Sequence, residues 1–80
     1  MSTNPHITPD IAAHVLFHLG HGGRPGNRFI QELLATFDDA DAHDLLQLAA
    51  GFPGYAAAFE LAKNHRDGVD ILAARAADDH

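Results

Sequence analysis

The chain contains no cysteine, which excludes disulfides, thiolate nucleophiles and the common structural zinc sites. A cysteine-free chain suits a reducing compartment, so a cytoplasmic location is expected. Serine occurs once, at Ser2, and no nucleophile stands beside a positioned base, so no enzyme activity is expected. No apolar run approaches the roughly 20 residues that a membrane span needs. The N-terminus lacks a basic region followed by an apolar stretch, so no signal peptide is expected. Basic residues are also scarce: 5 Lys and Arg stand against 11 Asp and Glu, for a net charge of −6 with histidines neutral. Such a chain is repelled by nucleic-acid phosphates and anionic lipid, which disfavours nucleic acid and membranes as partners.

Eighty residues allow one domain. A domain of this size buries only about 60% of its unfolded surface, so its stability depends on good packing or on association. Residues of hydrophobic type make up 46%, much of it alanine. Nothing alternates with period two for long enough to form a strand. The expected fold is all-α, a compact single domain of four to five short helices spanning residues 7–77, with a disordered lead at 1–6 and a frayed tail at 78–80.

The chain is expected to be organised around Leu45–Lys63, two helical runs broken by Gly51-Phe52-Pro53-Gly54. Gly51 suits a left-handed residue ending one helix, and Pro53 suits the first position of the next. Phe52, between two breakers, is expected to plug inward. Upstream, Thr8-Pro9-Asp10 starts a helix reaching Leu19 and stopping at Gly20, with Thr8 as cap and Ile7 stapled to Ala12. Its apolar stripe is Ile11, Ala12, Val15, Leu16 and Leu19. A second helix starts near Pro25 or Asn27 and reaches about Phe37, facing inward with Phe29, Ile30, Leu33, Leu34 and Phe37. An aspartate among Asp38, Asp39 and Asp41 caps a third, which turns Ala42, Leu45, Leu46 and Ala49 inward. The fourth runs from Pro53 to Lys63 or Asn64 on Tyr55, Ala58, Phe59 and Ala62. Asp67 caps a fifth, Gly68–Ala77, facing inward with Val69, Leu72, Ala73 and Ala76.

Several constellations bear on chemistry. His14 and His18 are one turn apart and His21 follows the helix end, a set that zinc, nickel or copper accepts. The glutamate of a His-Glu-x-x-His site is missing, and boundary histidines near a helix C-terminus explain the same pattern. No cofactor is expected. Gly20-His21-Gly22-Gly23-Arg24-Pro25-Gly26 loosely matches a dinucleotide fingerprint, but a helix precedes it where a strand is required. A flexible connection is the simpler reading, with Arg24 and Arg28 available for a partner contact. Leu45–Asn64 has the outline of a DNA-binding helix-turn-helix, yet its second helix offers almost no donors for bases or phosphates. Lys63, Arg66 and Arg75 make only a small basic area. Asp38, Asp39, Asp41 and Asp44 lack EF-hand spacing, and capping explains them more simply than a cation site or a mimic of DNA phosphates.

Phe17, Leu48, Leu61 and Ile71 fall outside the best core stripe of their helices. Apolar residues left exposed form a protein interface, so these four are the candidate contact residues, toward another protein or in a homodimer.

The segments His14-Val15-Leu16-Phe17-His18-Leu19-Gly20 and Gly51-Phe52-Pro53-Gly54-Tyr55, in an Ala-, Asp- and Arg-rich chain, resemble small orphan proteins of actinobacterial phages. Some of that group act on host proteins by binding them. The resemblance implies a cytoplasmic, non-enzymatic modulator of a host protein, and assigns no residue a role.

Overall fold

A computed structural model describes residues 7–78, so the expected lead and the last two tail residues lie outside the described residues. Five helices follow one another: α1 (Pro9–His18), α2 (Arg28–Asp39), α3 (Ala42–Gly51), α4 (Pro53–Asn64) and α5 (Gly68–Ala77). No strand occurs among the described residues. The molecule is all-α.

Local chemistry sets the helix starts. The hydroxyl of Thr8 accepts from Ile11 N at 3.1 Å, Asn27 Oδ1 from Ile30 N at 3.0 Å, and Asp41 Oδ1 from Asp44 N at 2.9 Å. Each satisfies a backbone donor that has no partner within its helix. Asp67 stands at the N-cap of α5, but its side chain makes no capping bond.

α1 ends in a Schellman turn. Gly20 takes a positive φ of 82°, Gly20 N donates to Phe17 O, and His21 N donates to Leu16 O. The glycine loop is not the free connection expected of it. Arg24 N donates to Ala13 O at 3.2 Å, and the Arg24 guanidinium pairs with Asp10 at 2.8 Å. The loop therefore doubles back along α1. At Gly23, with φ 76°, a side chain would collide with the Ala13 carbonyl oxygen.

The break after α3 also differs from expectation. Gly51 has no positive φ and belongs to α3 as its last helical residue. Phe52 (φ −134°, ψ 64°) serves as both the C-cap of α3 and the N-cap of α4, so no loop separates them. Its ring is half-buried against the core, 5.9 Å from the ring of Phe29.

The centre of the molecule is α1, not the α3–α4 corner. Ala12, Ala13, Val15 and Leu16 are buried on it, and α2, α4 and α5 pack around it. Two alanines on that face let neighbouring helices come close. Leu33, Leu34 and Phe37 of α2, Ala58 and Phe59 of α4, and Leu72 of α5 complete the core. The rings of Phe37 and Phe59 lie 5.3 Å apart. Arg75 Nε donates to Ile7 O at 2.7 Å and ties α5 to the lead-in of α1.

Five expected inward positions are exposed: Phe29, Ala42, Leu45, Leu46 and Ala73. Phe29 is 57% exposed, with Phe52 as its ring neighbour. Ala73 of α5 is exposed. The largest departure is α3, which buries no residue.

Candidate functional site

α3 packs chiefly against α4. Its stripe Ala42, Leu45, Leu46 and Ala49 was the expected core face, but Leu48 takes that role and packs against the core. At 100° per residue, Leu48 and the half-buried Ala49 place the packed side about a sixth of a turn from the expected one. Leu46 is consequently 73% exposed and Leu45 38%.

These leucines line a groove of about 590 Å³ between α3, α4 and the C-terminal end of α2. Phe37 and Phe59 contribute core aromatic surface, and Ala42, Ala49 and Ala56 keep the walls low. Asp38, Glu60, Lys63 and Asn64 stand among its lining residues. Lys63 lies 5.2 Å from the centre of the Phe59 ring, so the ring already engages this cation. On the other side of α3, Asp39 and Asp44 border a smaller hollow with Leu48 and Phe52. The carboxylates of Asp39, Asp44 and Glu60 have no ion-pair partner among the described residues.

The expected contact residues divide. Phe17 is 48% exposed and Ile71 is 44% exposed, whereas Leu48 and Leu61 are half-buried against the core. The latter two are packing residues, because α4 is covered by α1, α3 and α5 and α3 leans on it through Leu48. A sign of the groove was present in the sequence: Leu45, Leu46 and Leu48 together span more of a ten-residue helix than one neighbour can cover.

The histidines do not converge. Among the described residues, no three His, Cys, Asp or Glu side chains are placed to hold a metal. His14 Nδ1 lies 2.7 Å from the Tyr55 hydroxyl, with the two rings stacked. Desolvation lowers the His14 pKa below 6.5, Arg24 lowers it further, and Asp10 opposes them. Desolvation, aided by Asp10, raises the Tyr55 pKa above 10.0. His18 Nε2 lies 2.7 Å from Asp38 Oδ2, bridging the C-terminal ends of α1 and α2. His21 is exposed in the loop. Of the two loop arginines, Arg24 pairs with Asp10, and Arg28 pairs with Glu32 one turn along α2 at 3.0 Å. Both remain at the surface. Among the described residues, no helix is long and apolar enough to cross a membrane.

Comparison with protein families, curated proteins and solved structures returned no match for the chain.

Proposed function

We propose that this chain is a small protein–protein interaction module with no catalytic role, and that the groove beside α3 is its contact surface. The observation that carries this reading is a well-capped helix that buries none of its residues and holds Leu46 73% exposed. Leaving a leucine in water forgoes about 1.5–3 kcal/mol of burial, a cost that a partner would recover. The acidic surface and lack of cysteine support a cytoplasmic setting. The resemblance to actinobacterial phage proteins supports a host protein as partner, with a second copy of the chain as the competing occupant.

Site-specific photocrosslinking tests the reading. A photoreactive residue at position 46 is expected to trap one defined protein in actinobacterial lysate. The same group at the exposed Gln31 on α2 should not trap it, and Leu45→Asp should abolish the adduct. Equal adduct patterns from positions 46 and 31 would refute the assignment of the groove.

A further inference from the structure

We infer that the groove beside α3 takes a cationic amphipathic helix, an inference that rests on the docking reading above. Shape argues for a helix. The open stripe on α3 follows helical spacing, Ala42, Leu45, Leu46 and Ala49, and runs beside Ala56 and Phe59 of α4. α3 is ten residues, about 15 Å long, and so matches about three turns of an incoming helix. The alanines on both walls let another backbone approach, while the leucines and Phe59 supply the apolar contact.

Charge argues for a cation-bearing partner. Asp38 and Glu60 line the groove. Asp38 pairs with His18, and Glu60 lacks an ion-pair partner among the described residues. The lining contains one cation, Lys63, which sits over Phe59. A helix with leucines on one face and lysines or arginines beside them would bury the apolar strip and place positive charge against Asp38 and Glu60. A second copy is the poorer fit: the groove lining sets one lysine against two acids, and each chain carries a net charge of −6.

Fluorescence anisotropy with labelled synthetic peptides of about four helical turns tests the inference. One peptide has leucine at i, i+3, i+4 and i+7 with lysine between, so that it forms an amphipathic helix, a second replaces lysine with glutamate, and a third scrambles the leucine–lysine sequence. The full chain should bind the first about tenfold or more tighter than the other two, more weakly as salt rises. Leu46→Asp, checked for folding by circular dichroism, should weaken that binding by a similar factor. Glu60→Gln should narrow the preference for lysine over glutamate. Equal binding of the lysine and glutamate helices, both lost in Leu46→Asp, would overturn the charge preference and leave the docking reading standing. Binding unaffected by Leu46→Asp, or equally strong for the scrambled peptide, would overturn both. A dimer in sedimentation that Leu46→Asp dissociates would replace the cationic helix with a second copy as occupant.

Discussion

Gly68 and Gly51 occupy opposite situations within the same small fold. Gly68 is buried at the start of α5, and an added methyl would run into the Leu61 carbonyl group of α4. Because the obstacle is backbone, Gly68→Ala is expected to destabilise by about 1–3 kcal/mol in urea unfolding. Gly51 meets nothing within 4 Å and has no positive φ. Gly51→Ala should therefore leave stability unchanged or raise it by up to about 1 kcal/mol. A loss there would instead indicate the left-handed conformation expected from the sequence. His14 supplies a pH-dependent contribution. Desolvation lowers its folded pKa, so its stabilising effect is full above the unfolded value near 6.5 and is lost as pH falls through the lowered value. Asp10, Arg24 and the Tyr55 hydroxyl are the groups facing it. The stability advantage of the parent over His14→Asn should shrink between pH 8 and pH 5. Urea midpoints across that range check this, and a constant difference would contradict it.

At the scale of elements, α1 and α3 have the same length but very different surroundings. α1 is enclosed by three helices, whereas α3 packs mainly on one and buries no residue. Regions with few buried contacts open at lower free energy, so amides in α3 should exchange hydrogen faster than those in α1, as mass spectrometry can measure. Equal protection would show that α3 is held more firmly than its packing implies. The helices themselves were legible in the sequence because capping is local: Thr8, Asn27 and Asp41 act within three residues of their own positions. The rotation of α3 was not legible. Leu45, Leu46 and Leu48 are chemically alike, and which of them turns inward depends on where α4 lies. The groove was missed for the same reason. Phe17 and Ile71 were placed outside the core stripes because their helices offered enough other apolar residues to fill one face. Leu61 is half-buried because α4, covered on several sides, uses more than one face.

For the molecule as a whole, the core contains few large residues, so each carries a large share of the stability. Leu34 and Leu72 are among the fully buried side chains. Leu72→Ala should cost about 2–5 kcal/mol, the usual range for leucine truncation in a closed core. In a domain this small that is a large fraction of the total, so partial unfolding should be visible by circular dichroism at room temperature. A midpoint close to that of the parent would mean that the α1–α5 contact collapses around the missing atoms. Solubility follows from charge. The net charge of −6 shrinks on acidification, so colloidal stability should fall as pH drops below 7.

The central position of α1 also has a consequence for the order of assembly. During synthesis α1 is made before every helix that covers it, and α5, which supplies Leu72 and the Arg75 bond to Ile7, is made last of the five. Contacts between distant parts of a chain form only after the intervening segment has been ordered or closed into a loop. The helix at the centre of the finished molecule is the first to be made, and it stays incompletely enclosed until the final helix docks.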